Sequence, residues 1–89
     1  MPDADLAVAL RDRRAELGLG RTEAAYQMGA SAGSLAQWEQ GVAMPRAARY
    51  GDVRRWLDVD GPTFARLIIR TLCVFGDVDP DEVDSWPGW

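Results

Sequence analysis

Apolar residues recur at intervals of three and four along most of this 89-residue chain. That interval is the period of an amphipathic helix with one buried face. Glycine and proline residues interrupt it where one helix should end and the next should begin. The sequence therefore predicts an all-α domain with five helices, at about residues 5–17, 21–28, 32–40, 46–58 and 62–75.

Small polar residues and glycines mark the ends of these helices. Asp3 or Asp5 is placed to cap the first helix. Ser31 is a favourable N-cap for the third helix, and Gly41 is placed to end it. Gly20 precedes the second helix, where serine or threonine would cap more strongly, so we expect that helix to have a loosely capped start.

The turn at residues 28–31, Met-Gly-Ala-Ser, separates two helices that are each too short to be stable alone. Gly29 permits a sharp turn, and the small side chain of Ala25 allows the two helices to approach closely. Leu35 and Trp38 form the expected buried edge of the third helix. This arrangement predicts a helix-turn-helix, which presents its second helix to the major groove of DNA.

The fifth predicted helix carries a wider apolar surface than one small core normally needs. Trp86 and Trp89 follow it in an acidic segment, and two tryptophans are costly to leave in water. We expect them either to pack on the fifth helix or to insert into a partner chain, whereas Tyr26 and Trp56 are expected to be packing residues. The candidate residues for an oligomer interface are Leu67, Ile68, Ile69, Leu72, Phe75, Trp86 and Trp89.

Composition narrows the classes of function. No stretch of 18 apolar residues is present, so we expect no membrane span. The acidic N-terminus lacks the basic region of a signal peptide, and the single cysteine, Cys73, is expected to be a reduced core residue of a cytoplasmic protein. Histidine, the commonest general base and metal ligand, is absent, so we expect no metal, no cofactor and no enzyme. Carboxylate-only catalysis is the remaining enzymatic alternative, but no carboxylate pair has a spacing that demands it.

The net charge of −4 is distributed unevenly along the chain. Residues 6–75 carry all ten arginines against seven acidic residues, which makes this part mildly basic. Residues 1–5 add two aspartates, and residues 76–89 add five further acidic residues. We therefore divide the chain into a helix-turn-helix domain at 1–75 and a short, irregular, acidic C-terminal segment at 76–89.

Several residues occur at the spacing of a known family. They are Arg14, Leu17-Gly18-Leu19, Ala25, Met28-Gly29, the run SAGSLAQWEQG from Ser31 to Gly41, and Pro45. Over about residues 6–60 this pattern resembles the phage repressor/Cro-like, or XRE-type, family of helix-turn-helix domains. The resemblance implies a lambda-repressor-like fold of five helices. One departure is Leu57-Asp58-Val59-Asp60, where the family often has leucine-glycine-valine-serine.

The resemblance gives one pair of residues a structural role. It implies that Arg14 and Glu39 form a partly buried ion pair that locks the first helix to the end of the third. Two separate surface charges are the alternative. A buried pair would make the removal of either partner destabilising, and in both cases these residues would hold the fold and would not contact DNA.

The resemblance also implies that Ala32, Gly33, Ser34 and Gln37 face the base edges. Gln37 can bond the N6 and N7 atoms of adenine, Ser34 can reach a base or a phosphate, and Ala32 can touch a thymine methyl group. Gly33 offers only close approach. The alternative for Gln37 is a solvated helix residue, so we expect direct recognition of bases to be weak.

Arginines near this helix are the candidates for contact with the DNA backbone. Arg21 opens the second helix, where the family commonly has a glutamine that contacts phosphate, and the helix dipole favours an anion at that position. Arg46 follows the loop after the third helix and is the second candidate. Arg11, Arg13 and Arg49 rank lower, and each of these arginines can instead be an ordinary solvated residue.

The combined pattern predicts a small sequence-specific regulator of transcription, of the Cro/repressor type, that binds double-stranded DNA through the major groove. A homodimer on a palindromic site is the expected form. The alternative is a protein-interaction module that keeps the fold but has weak or no DNA binding. The acidic C-terminal segment can contact a protein partner or, through its charge, shield the arginines and inhibit the chain itself.

Overall fold

The computed structural model of the chain describes residues 5–75. Within this range it confirms the predicted all-α architecture, with five α-helices and no strand. The helices are α1 (Leu6–Leu17), α2 (Arg21–Gln27), α3 (Ala32–Gln40), α4 (Tyr50–Leu57) and α5 (Gly61–Phe75), and a single 3₁₀ turn (Ala47–Arg49) leads into α4. Asp3 and the C-terminal segment with Trp86 and Trp89 lie outside the described residues.

Local hydrogen bonds explain why α1 and α3 begin where the sequence predicts. An Asp5 side-chain oxygen accepts a hydrogen bond from the backbone N–H of Val8 over 3.0 Å, so Asp5 is the N-cap of α1. The Ser31 hydroxyl accepts one from the backbone N–H of Ser34 over 3.1 Å, which caps α3. Gly20 precedes α2 without any side-chain cap, as expected.

The prediction for the fourth helix was one continuous α-helix over residues 46–58, and the structure differs from it. Arg46 has an extended backbone, and its carbonyl accepts a hydrogen bond from the Arg49 N–H over 2.8 Å. The first turn is therefore a 3₁₀ turn, and the α-helix begins only at Tyr50. Asp58 ends this helix in the left-handed conformation, with φ of 58°. Aspartate tolerates that conformation better than most residues, which explains how it stands where the family often has glycine.

The core lies between α1, the α2–α3 pair and the inner faces of α4 and α5. It is made of apolar side chains from all five helices that are almost completely removed from water. The largest contributions come from Leu6, Leu10, Met28, Leu35, Trp38, Val53, Trp56, Leu57, Phe64 and Ile68. Cys73 is only half-buried and is not one of the buried residues of this core.

One helix end is capped from a distant part of the chain. The Thr71 hydroxyl accepts a hydrogen bond from the Leu6 backbone N–H over 2.9 Å and donates one to the Leu67 carbonyl over 2.8 Å. The Leu6 N–H belongs to the first turn of α1, where no backbone carbonyl of the same helix can reach it. The buried Thr71 therefore fixes the start of α1 against α5.

Two polar side chains join α4 to the helices that surround it. Arg13 of α1 donates from Nε to the Trp56 carbonyl over 3.1 Å, and the Trp56 indole N–H donates to the Gln27 side-chain oxygen over 2.9 Å. Trp56 is thus a packing residue, as predicted. The same prediction is wrong for Tyr26, which is 84% exposed because Ala24, Ala25 and Met28 already fill the inward face of that region.

Candidate nucleic-acid interface

A tight turn sets the position of α3 relative to α2. Gly29 adopts a φ of 71°, and the Ala30 N–H donates to the Ala25 carbonyl over 2.9 Å. A side chain at Gly29 would be strained in this conformation, and its Cβ would lie 3.2 Å from Nη1 of Arg49. Ala25 and Met28 are buried directly beside this turn. The turn therefore holds α3 with its N-terminal half at the surface.

Glu39 joins three helices through its carboxylate. Arg14 of α1 donates from Nε to one carboxylate oxygen over 2.8 Å and from Nη2 to the other over 3.0 Å. Arg21 at the start of α2 donates from Nε to the second oxygen over 3.1 Å. The structure thus contains the Arg14–Glu39 pair that the family resemblance implies, and it adds Arg21 as a third member.

The protonation of Glu39 follows from this geometry. Its side chain is 0% exposed, and burial alone would raise the pKa of the carboxyl group. The hydrogen bonds and charges of Arg14 and Arg21 outweigh burial, so the pKa of Glu39 lies below its ordinary value. The hydrogen bond to Glu39 likewise raises the pKa of Arg14. Glu39 and Arg14 are therefore both charged at neutral pH.

An open groove of about 790 Å³ lies beside α3, and we call it the α3 groove. It runs between the turn and outer face of α3 on one side and the segment that leads into α4 on the other. Two arginines and no acidic residue are among the side chains that line it. The lining residues are Gly29, Ala30, Ser31, Ser34, Gln37, Trp38, Ala43, Met44, Arg46, Ala48 and Arg49.

The four residues expected to face bases are distributed over the surface of α3. Ser34 and Gln37 line the α3 groove, whereas Ala32 and Gly33 do not. The Ser34 oxygen accepts a hydrogen bond from the Ser31 hydroxyl over 3.0 Å, which leaves the Ser34 hydroxyl hydrogen able to donate elsewhere. Gln37 is exposed, so its side-chain amide can both donate and accept toward a ligand in the groove.

The arginines proposed to contact the DNA backbone differ in their position relative to the α3 groove. Arg46 is exposed and lines the α3 groove, as does Arg49, which the sequence ranked lower. Arg21 has a side chain 45% exposed, although its Nε is bound to Glu39. Arg13 holds Trp56 and also pairs with Glu16, so it serves the fold. Arg11 is exposed on α1 outside the groove.

The sequence ranked Arg49 low among the candidates, because its position in the groove comes from packing. Its guanidinium lies against the turn at Gly29, so the two residues are close together although they are twenty positions apart in sequence. Asp52 lies one helical turn further on, with 3.9 Å between its carboxylate and Nη1 of Arg49. Asp52 is half-buried, and Arg55 engages it more closely, over 2.7 Å. Arg49 therefore pairs with Asp52 more loosely than Arg55 does, and its side chain lines the α3 groove.

The apolar residues proposed for an oligomer interface are largely used inside the domain. Ile68 is only 8% exposed and belongs to the core, so it offers little surface for a subunit contact. Leu67 and Leu72 pack against the same core. Ile69 and Phe75 are half-buried. The reason is that α5 closes the core against α1, which the hydrophobic pattern of α5 alone does not reveal.

Residues 5–75 carry neither a metal-binding cluster nor a membrane-spanning helix. These residues contain no group of histidine, cysteine and carboxylate side chains that could hold a metal ion. None of their helices is both long and apolar enough to cross a membrane. No family model, curated protein or solved structure matches the chain.

Proposed function

We propose that this protein is a small DNA-binding regulator of transcription, of the Cro/repressor (XRE) type, that places α3 in the major groove of a duplex. The observation that carries the proposal is the α3 groove. There, the two polar side chains of α3 that can address bases, Ser34 and Gln37, lie beside Arg46 and Arg49, with no acidic side chain among the lining residues.

The dimensions of α3 suit this role. It is nine residues long, so it spans about 13 Å at 1.5 Å per residue, and it is narrow enough for a major groove about 12 Å wide. With α3 in that groove, Arg46 and Arg49 would meet the phosphates along one edge. Phosphate contacts fix the orientation of the protein, and base contacts specify the sequence.

Recognition of bases would depend chiefly on Gln37, because its amide can pair with the N6 and N7 atoms of adenine. Ala32 and Gly33 have almost no side chain, so the first turn of α3 can approach the base edges closely but makes few polar contacts. Arginine contacts to phosphate and the shape of the duplex would therefore supply most of the affinity.

The proposal extends to the oligomeric state of the protein, its location in the cell and its need for a metal or cofactor. A homodimer on a palindromic site would double the interface with DNA. The protein would act in the cytoplasm of a bacterium, where chromosomal and phage DNA are found. Neither a metal nor a cofactor is needed, since binding and not catalysis is the proposed activity.

The experiment that tests the proposal is selection of duplexes from a random-sequence pool by the full chain, followed by titration of the enriched duplex at several salt concentrations. We expect an enriched sequence and an affinity that falls steeply with salt. The double substitution Arg46→Ala/Arg49→Ala should make the dependence on salt less steep. The magnitude of the slope of log K, the association constant, against log[salt] should fall by about 2, at about 0.9 per phosphate contact. Arg66→Ala, which removes an exposed charge outside the groove, is the control.

A protein-interaction module with this fold is the second candidate, and the exposure of Tyr26 favours it. An aromatic side chain 84% exposed on α2 is a typical anchor of protein interfaces. In the same selection experiment, the absence of both enrichment and duplex binding at low salt would reject the DNA-binding proposal and favour this one.

A further inference from the structure

A second groove, which we call the α4–α5 groove, lies between the start of α4 and the first half of α5. Its volume is about 280 Å³, just below the ~300–1,000 Å³ of typical small-molecule sites. It is almost entirely apolar. Tyr50, Arg54, Phe64, Ala65, Ile68 and Ile69 line it.

The groove has a fixed aromatic wall. The Tyr50 and Phe64 rings meet edge to face, with centroids 5.7 Å apart and planes inclined by 68°. Phe64 and Ile68 are anchored in the core, so the base of the groove is rigid. Edge-to-face packing is the arrangement that aromatic rings prefer, and a further indole ring can extend it.

The position of the groove favours an occupant from the same chain. Its α5 residues, at positions 61, 64, 65, 68 and 69, share one face of that helix, and Leu72 and Cys73 continue this face toward Phe75. The C-terminal segment starts directly after Phe75. Gly61 and Phe75, the two ends of α5, are separated by about 21 Å at 1.5 Å per residue.

The C-terminal segment has the length and composition to return to the groove. Trp86 lies eleven residues after Phe75, and eleven residues can span up to about 36 Å. Five acidic residues precede Trp86 in this segment: Asp77, Asp79, Asp81, Glu82 and Asp84. Arg54 lines the groove and Arg66 is exposed beside the same face of α5. Both lie close enough to Asp60 to act on it electrostatically.

We propose that the indole ring of Trp86 docks in the α4–α5 groove of its own chain, with the acidic residues before it placed near Arg54 and Arg66. The small, apolar groove fits a single aromatic side chain. Docking would remove one tryptophan from water and would pair opposite charges at its border. The proposal does not depend on DNA binding, since the α3 groove has no residue in common with the α4–α5 groove.

The test is NMR spectroscopy of the isotope-labelled full chain. We expect nuclear Overhauser effects (NOEs) between the Trp86 indole protons and the Ile69 methyl groups. Ile69→Glu should abolish the corresponding NOE to the methyl group of Ala65, which also lines the groove, and should shift the Trp86 resonances. Val42→Glu makes the same chemical change at a side chain that is 67% exposed outside the groove, and it should leave them unchanged.

A second substitution separates docking from any effect of Ile69→Glu on folding. Trp86→Ser should shift the Ile69 and Tyr50 resonances while the core resonances of Leu10 and Leu35 stay in place. Random-coil shifts throughout 77–89 without NOEs to the groove would overturn the proposal. NOEs seen only between differently labelled chains would also overturn it, because the occupant would then be a second copy.

Discussion

Arg21 donates a hydrogen bond from Nε to Glu39 over 3.1 Å, which joins the first residue of α2 to the end of α3. Arg21 therefore has a structural contact of its own, in addition to any contact that it makes with a DNA phosphate. Its side chain is 45% exposed, so the terminal nitrogens can still face solvent or a DNA backbone while Nε holds Glu39. One residue can thus orient α3 and contact phosphate together.

This double role of Arg21 predicts two effects for Arg21→Ala. Duplex affinity should fall about equally for all sequences, with a salt slope smaller by about 1, because one phosphate contact is lost. Stability should fall by about 1 kcal/mol, the net contribution of a typical hydrogen bond. Anisotropy titrations and urea unfolding measure the two effects. If Arg66→Ala, which removes an exposed charge outside the α3 groove, reduced the salt slope as much, a specific contact by Arg21 would be disproved.

Glu39 should be the most sensitive charged residue of the fold. Glu39→Gln leaves Arg14 and Arg21 without their anionic partner at a site closed to water. We expect a loss of about 3 kcal/mol, the lower end of the ~3–5 kcal/mol typical of a broken buried pair, since Arg14 is itself partly exposed. Urea unfolding measures this loss. Glu23→Gln, an exposed change on α2, should cost almost nothing.

The lowered pKa of the Glu39 carboxyl group predicts that the free energy of unfolding depends on pH in the acidic range. The pKa of Glu39 in the folded protein lies below its ordinary value of 4.5, so the unfolded chain binds this proton more readily. The stabilisation is complete above about pH 4.5 and is lost as the pH falls through the lower pKa of the folded state. The stability difference between the wild type and Glu39→Gln should therefore be constant near neutral pH and shrink as the pH falls below about 4.5. A difference that stayed constant in acid as well would contradict the ion pair.

Thr71 should stabilise the domain through its hydroxyl group. Thr71→Val keeps the shape but leaves the buried Leu6 N–H without its acceptor, at a cost of about 1–3 kcal/mol. Thr71→Ser keeps the acceptor and loses only a methyl group, at about 0.8 kcal/mol. Hydrogen exchange of the Leu6 amide should quicken in the valine variant alone. Equal exchange in both variants would show that the hydrogen bond is unimportant.

Local chemistry explains which parts of the fold could be predicted. The capping residues Asp5 and Ser31 act on backbone groups three positions away, and Gly29 acts on its own turn. Such signals are contained in a few neighbouring residues, so helix number and most boundaries follow from sequence. The helix-turn-helix was predicted from the Gly29 turn between two short helices, whereas the Arg14–Glu39 pair came from the family resemblance.

The parts that could not be predicted depend on contacts between distant residues. Thr71 and Leu6 are 65 positions apart, and no local pattern indicates that one caps the helix of the other. The exposure of Tyr26 depends on which neighbours fill the inward face of α2. The position of Arg49 in the α3 groove likewise requires the fold, because it follows from packing across the Gly29 turn.

The most direct test of the proposed DNA interface is to follow backbone amide resonances of the full chain while an enriched duplex is added at low salt. The account predicts shifts concentrated at residues 31–37 and 46–49, which include Ser34, Gln37 and the two groove arginines. Gln37→Ala should relax the preference for one base pair, by about 1–3 kcal/mol. Shifts confined to α5, or no shifts at all, would contradict the claim that α3 binds duplex DNA.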